Sequence, residues 1–510
     1  MKTKTRLLAL LLSLILLVLP LVSCKDDKDD SDKPDTGDEF TGSIAGDDAT
    51  DEPEPDVTPT PPPLAEGDAN ATVYITSYED LKAKLTQKGT FVLQNDITVD
   101  DADFKPFGNY IYPFLGTLDG GGHKITLKVS TSEENYGYSP MFKYVYCGLF
   151  SVTKNATVKN LTLDVDLSAA SSTASCFVLS GAVAGYMIDT TVVNCTISGK
   201  ITSKSEYFNA YSGSICGIMD GGKITSCSTA ATVEAIGSQN RAVAGGIIAY
   251  TFGQSEIASC FSASSVKASS TEGVAYAGGL VGNAKASSFT ACGVDATVHS
   301  EVTKYVATAK THGAAYAGGI VAVAGGDHEA KRVSFTRCYA QDGTVTALGN
   351  NNFAYGAGIC GAVIYADFKH CYSLTDITVK TGINLAYAAS AFASITSTGS
   401  SSSDGSTYIH SFSIDGCYAG GDVSATHSKP QFMFLATYYG YTSDSKASAA
   451  IKKPIYSEDA VYTLNGRDGF ILNKNGTAKP SAFFTLENCS TELGWSDTEW
   501  EYDGDILKAK

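Results

Sequence analysis

The sequence predicts an all-β fold, a right-handed parallel β-helix (β-solenoid), on three observations. Seven cysteines each follow an apolar residue by three positions: Cys195, Cys227, Cys260, Cys292, Cys338, Cys371 and Cys417, spaced by 32, 33, 32, 46, 33 and 46 residues. A second landmark, four residues before the Leu or Ile of segments such as AYAGGLVG, falls at Leu179, Tyr211, Val243, Tyr276, Tyr316, Tyr355 and Tyr387. The two series interleave at half-periods of 16 or 17 almost throughout, which marks internal repetition. Short β-branched runs separated by Gly, Ser and Asn turns form the third observation, with no helical period to compete and only Pro140 interrupting residues 114–429. A strand unit this short cannot bury its own face, so successive coils stack at about 4.8 Å.

Five segments follow in chain order. Residues 1–23 begin with Lys2, Lys4 and Arg6 and continue into an apolar run from Leu7 to Leu21, too short and too close to the start for a spanning helix and read as a signal peptide. The run ends Leu21-Val22-Ser23-Cys24, which resembles the lipobox of bacterial lipoproteins. The resemblance implies acylation of Cys24 and attachment to a membrane through lipid; the alternative is an ordinary secretory signal with an incidental Cys. Residues 24–68 read as an acidic, Pro-rich disordered tether, because over residues 25–68 there are 16 Asp and Glu against three Lys. Its start, Cys24-Lys25-Asp26-Asp27, also resembles the surface-export signal of Bacteroidetes lipoproteins. Calcium capture by the tract lacks any loop of EF-hand or Gly-rich repeat spacing. Residues 69–140 are expected to form an N-terminal cap and first coil, residues 141–436 the repeats, about eight coils in all, and residues 437–510 a C-terminal coil and cap.

The composition agrees. Gly 50, Cys 13 and Tyr 28 against Met 5 and Trp 2 suit turns and strands better than helical bundles. The net charge of −17 argues against nucleic acid, which needs a surplus of Lys and Arg. Most of that charge is local: beyond the tether and the basic start, residues 69–510 carry only −7.

Segments such as Ala277-Gly278-Gly279-Leu280-Val281-Gly282 with Phe289-Thr290-Ala291-Cys292 resemble the GLUG motif of bacterial surface proteins. The run Asn95-Asp96-Ile97, then Pro113 to His123 with Asp119-Gly120-Gly121-Gly122, is similar to the coil placed before such repeats, and Trp500-Glu501-Tyr502 through Ile506-Leu507-Lys508 to the matching terminal segment. The resemblance covers residues 73–510 and implies architecture, not activity. The peptidase activity of some larger GLUG proteins does not carry over, since His328-Glu329 lacks the second His of a zinc peptidase helix.

Candidate sites follow from the repeat. The seven cysteines are expected to point inward as a ladder of buried free thiols, with disulfides or a metal site as alternatives; no C-x-x-C pair supports zinc, and neither cofactor nor metal is expected. The residue after each then faces outward, which puts Tyr339, Tyr372 and Tyr418 in an aromatic strip for glycan stacking or protein contact. The alternative is tyrosines that cover a sheet face or lie under a loop. Two insertions collect titratable residues, His299, Glu301, Lys304, Lys310 and His312 in 299–313 and Asp327, His328 and Glu329 in 324–332, read as solvated loops, while 396–410 reads as a flexible Ser/Gly loop. Two acidic pairs one coil apart, Asp295 with Asp342 and Asp376 with Asp422, carry the rival reading of a β-helix polysaccharide lyase or glycoside hydrolase. Against it, no Arg, Lys or His shares their stripe, and turn Asp is common. The expected function is a lipid-anchored, non-enzymatic binding or adhesion module at the outer membrane or cell surface, its partner a glycan or a host or neighbour-cell protein.

Overall fold

The computed structural model describes residues 64–510 apart from 133, 137–141, 306–312, 326–331, 396–399, 402–407, 410–411, 430–432, 443–449, 469–474 and 504–505. Cys24, the acidic tract up to residue 63 and the residues Lys310, His312, Asp327, His328 and Glu329 lie outside the described residues. Residues 64–68, read as the end of the tether, instead belong to the folded part: Gln87 N–H donates to Ala65 O at 2.8 Å, Lys88 N–H to Glu66 O at 3.0 Å, and Leu64 packs against the core.

The chain is a parallel β-helix built on three sheets. One coil shows the plan: Thr196–Ser205 belongs to sheet I, Ala210–Gly213 to sheet II and Cys216–Thr225 to sheet III, after which Ser228–Gly237 returns to sheet I beside the first strand. Both cysteine and landmark periods are true coil periods. The landmark residues pair directly, Leu179 with Tyr211, Val243 with Tyr276, and Tyr316 with Tyr355 and Tyr355 with Tyr387. Among the described residues sheet II has nine parallel strands from Lys143–Cys147 to Met433–Ala436, one more coil than the repeat count suggests. Sheets I and III start earlier still, with Ile97–Val99 and Lys124–Thr131 in sheet I and Thr72–Ile75, Thr90–Leu93 and Thr117–Asp119 in sheet III.

Each coil turns from sheet III into sheet I through a left-handed residue immediately before the ladder cysteine: Asn194, Ser226, Ser259, Ala291, Arg337, His370 and Gly416 all have φ between 45° and 60°. Only the last is glycine, so six corners hold a side chain in a conformation that costs about 1 kcal/mol. The turn bends the next residue inward. It also leaves a carbonyl two residues before each cysteine for the thiol to reach: the Cys195 Sγ donates to Val193 O at 3.5 Å, Cys227 to Thr225 O at 3.4 Å, Cys260 to Ala258 O at 3.3 Å and Cys292 to Thr290 O at 3.5 Å. Cys338, Cys371 and Cys417 repeat the contact at 3.7, 3.5 and 3.6 Å. A small apolar side chain with a weak donor fits that place better than Val or Ser. All twelve described cysteines are buried and free, and no group of described residues could hold a metal ion.

The corner between sheets II and III is made by the paired glycines of the repeat. A Cβ at Gly246, Gly279 or Gly319 would stand 2.0, 2.0 or 2.1 Å from the carbonyl oxygen of the next coil. Inward from there the core is a stack of like on like, as in Phe289, Phe335 and Phe368, whose rings lie 4.7 and 4.9 Å apart and within 7° of parallel.

The N-terminal end is covered by a short helix, α1 (Tyr78–Lys84), capped by the Ser77 hydroxyl accepting from Asp80 N–H, which places Leu81 in the core. The C-terminal region departs from an end cap. After Thr477–Lys479 pairs with Ile455–Ser457, residues 481–510 fold back along the outer face of sheet I and finish in a hairpin of Trp500–Asp503 with Ile506–Ala509. Two insertions are also more regular than loops. His299 and Glu301 lie in the strand Thr297–Val302, which extends sheet I, and the Ser/Gly insertion holds an antiparallel pair, Ser400–Ser401 with Tyr408–Ile409.

Candidate functional site

Tyr339, Tyr372 and Tyr418 do stack outside the thiol core, in direct register, but they are not a surface. They are only 4%, 0% and 1% exposed, because the folded-back segment lays Phe483, Trp495, Trp500 and Leu507 over them. Trp495 stacks on Trp500 at 4.4 Å and anchors through its indole N–H to Gly416 O at 2.7 Å. The Tyr372 hydroxyl donates to Leu507 O at 2.5 Å and meets Gln341 Oε1 at 3.0 Å, and Arg337 at a corner pairs with Glu499 at 3.2 Å. The predicted binding strip is therefore a second, internal core. Its outward register was legible; its cover, thirty residues from the far end of the chain, was not.

The predicted acidic pairs act as turn residues. Asp376 Oδ1 accepts from Asp422 N–H at 2.9 Å, and Asp422 Oδ1 accepts in turn from Val461 N–H at 2.8 Å, so each carboxylate fastens the turn of the following coil. Asp295 and Asp342 are exposed; partial burial and the neighbouring Asp342 charge raise the Asp295 carboxyl. Asp119 accepts from Gly121 N–H at 3.0 Å and pairs with Lys159 at 3.2 Å, a turn role as read. In the insertion strand, His299 pairs with Glu301 at 3.6 Å, and Lys304 pairs with Glu272.

The aromatic surface lies elsewhere, on the outer side of the corner between sheets II and III. The landmark residues of sheet II form one wall; small residues of sheet III, Gly185, Gly217, Ala249, Gly282, Ala322, Gly361 and Ala393, form the floor. At three coils the wall residue rests on the small residue one coil on. A Cβ at Gly185 would be 3.1 Å from the Tyr146 ring, one at Gly217 3.2 Å from Leu179 Cβ and one at Gly282 2.6 Å from Val243 Cγ1. This is why the repeat carries a third glycine after its apolar pair. Tyr276, Tyr316 and Tyr355 are half-buried and Tyr387 buried, with ring centres 5.3, 4.4 and 4.8 Å apart; the last two contacts lie within 7° of parallel. The rings of Tyr316, Tyr355 and Tyr387 spend their faces on one another. The landmark series that located the repeat contained these residues, but periodicity alone does not say which face of a strand meets solvent.

Toward the N-terminal end the same groove holds Tyr146, Tyr186, Tyr211 and Tyr250, with Tyr110 from the 108–112 loop stacked on Tyr186. Asp220 stands among them; burial first and then the Asp189 charge push its carboxyl up to about 6, against a lowering by its bond from the Tyr186 hydroxyl.

No protein-family model and no curated protein matches the chain. Among solved structures, a Bacteroides ovatus protein described as a candidate immunoglobulin A1 protease is 14% identical, with 86% of this chain and 91% of that chain covered and a TM-score of 0.34. A structure named IgA1 Protease is 12% identical, with 83% of this chain and 24% of that chain covered and a TM-score of 0.35.

Proposed function

We propose that the protein is an exported, lipid-anchored β-helix of the GLUG-motif type that binds a protein partner on the outer groove between sheets II and III, without chemistry of its own. The observation that carries this is the tyrosine column Tyr276, Tyr316, Tyr355 and Tyr387, whose rings stack on one another. A glycan-stacking site must present ring faces. Rings stacked at van der Waals spacing present edges and hydroxyls instead, a mixed apolar and hydrogen-bonding strip of the kind tyrosine supplies at protein interfaces. Cys24 would hold this surface to the membrane, and the 24–68 tract would hold it off the lipid.

The test uses the full chain with Cys24→Ser to remove acylation, applied to host or neighbouring bacterial cells. Binding that falls at least tenfold in the Tyr316→Ala/Tyr355→Ala double variant and after protease treatment of the cells supports the reading. Binding that survives protease but disappears after periodate oxidation overturns it in favour of a glycan. Release of new reducing or unsaturated ends from acidic polysaccharides would overturn it in favour of an enzyme.

A further inference from the structure

In the first coils the sheet III side of the groove places a carboxylate among phenols. Tyr186 is in register with Ile218 and Tyr250, and Asp220 with Ile188 and Phe252 in the neighbouring column. The Tyr186 hydroxyl donates to Asp220 Oδ2 at 3.4 Å, and the Tyr110 ring lies parallel to that of Tyr186 within 19° at 6.4 Å. Glycines keep the carboxylates their space: a Cβ at Gly221 would meet Asp189 Oδ1 at 2.3 Å, and one at Gly253 would meet Asp220 Oδ1 at 2.3 Å. Both are left-handed, with φ of 72° and 68°, so the main chain bulges where each carboxylate sits.

Among the described residues Asp220 has one side-chain partner, the neutral Tyr186 hydroxyl, and faces a second acid, Asp189, from the adjacent coil. The basic residues of its own column, Lys154 and Lys285, are each two coils away, beyond Ile188 and Phe252. A second unmet group lies beside it. Tyr146 is 2% exposed, its hydroxyl has no hydrogen-bond partner among the described residues, and it lies close to the phenols of Tyr186 and Tyr110. A half-buried carboxylate without a cation is unfavourable, and an orphaned buried hydroxyl is as well. Both are satisfied by a ligand that brings positive charge and hydrogen-bonding atoms to an aromatic wall.

We propose that this end of the groove binds an organic cation, an ammonium or guanidinium group, against the Tyr110 and Tyr186 rings with its charge on Asp220 and a polar atom on the Tyr146 hydroxyl. The inference rests on the groove being a contact surface and names the chemistry of what it contacts: a Lys or Arg side chain of the partner, or a small free organic cation.

The experiment titrates the full Cys24→Ser chain with acetyl-Gly-Arg-Gly-amide, the same peptide carrying citrulline, and methylguanidinium, followed by NMR shifts and calorimetry. Saturable binding of the arginine peptide, at least tenfold weaker in Asp220→Asn and absent for citrulline, is expected. Asp220→Asn is nearly isosteric and removes an uncompensated charge, so an unchanged far-UV spectrum and melting midpoint accompany it. Peptide tighter than methylguanidinium assigns a protein side chain; the reverse assigns a small free organic cation, and either supports the cation site. Equal binding of the citrulline peptide, equal binding by Asp220→Asn, or no binding of any probe overturns it. Asp220-dependent probe binding with protease-insensitive cell binding would leave this site standing and sink the proposed function. Cell binding that needs Tyr316 and Tyr355 but is untouched by Asp220→Asn would do the opposite.

Discussion

The residue that repeats most strictly in this chain, the ladder cysteine, is fixed by the residue before it. A left-handed corner brings the thiol within reach of the carbonyl two residues before it, which already accepts a main-chain N–H of the preceding coil, and the thiol is small enough to fit and able to donate to the same oxygen. Burial raises the thiols of Cys292, Cys338 and Cys371 well above their ordinary range, and pushes that of Cys147 up to about 12. These are core groups held neutral, not nucleophiles. The same attention to partners separates the three tyrosines of the covered strip. Tyr372→Phe leaves Leu507 O without its buried donor and removes the hydroxyl beside Gln341, and chemical denaturation is expected to show a loss of about 1–3 kcal/mol. Tyr339→Phe removes a hydroxyl with no such bonds among the described residues and is expected to change stability by no more than about 0.5 kcal/mol. Equal losses for the two would show that the Tyr372 bonds contribute nothing.

At the scale of elements, the segment 481–510 covers part of the outer face of sheet I, which a further coil, stacking on the end of the solenoid, would leave open. It covers a strip that is apolar because three adjacent coils place tyrosine after the ladder cysteine. Both tryptophans of the chain lie in this segment and are 1% exposed. Ending the chain after Pro480 is therefore expected to keep the far-UV β signal, because the stacked sheets do not depend on it, while uncovering the strip. The readout is increased binding of a hydrophobic dye and concentration-dependent association in sedimentation. A truncated chain that stays monomeric and binds no more dye would mean the strip is not held by this contact.

Across the whole molecule, coils touch only their neighbours, so stability is a sum of coil and interface terms. The thiol ladder runs through seven of these coils as one dry column. Alkylation of the described cysteines is therefore expected to follow opening of the solenoid and not local motion. With iodoacetamide at pH 8 the Cys24→Ser chain should react negligibly when native and at all twelve positions in guanidinium chloride. Fast labelling of any ladder cysteine in the native protein would contradict a continuous closed core.

The sequence by itself determined the solenoid, because a coil must repeat its inward residues at the period of the chain path. Cys195 to Cys417 and Leu179 to Tyr387 record that period directly, down to the three insertions. It also determined that Tyr339, Tyr372 and Tyr418 leave the core, since alternation along a strand decides inside from outside. Whether an outward residue meets water was decided only by tertiary structure. Phe483, Trp495, Trp500 and Leu507 reach sheet I from a different part of the chain, and no local pattern encodes that return. The outer groove was hidden for the same reason: Tyr146 rests on Gly185 and Tyr186 meets Asp220 across coils and sheets, contacts that exist only once the coil has closed.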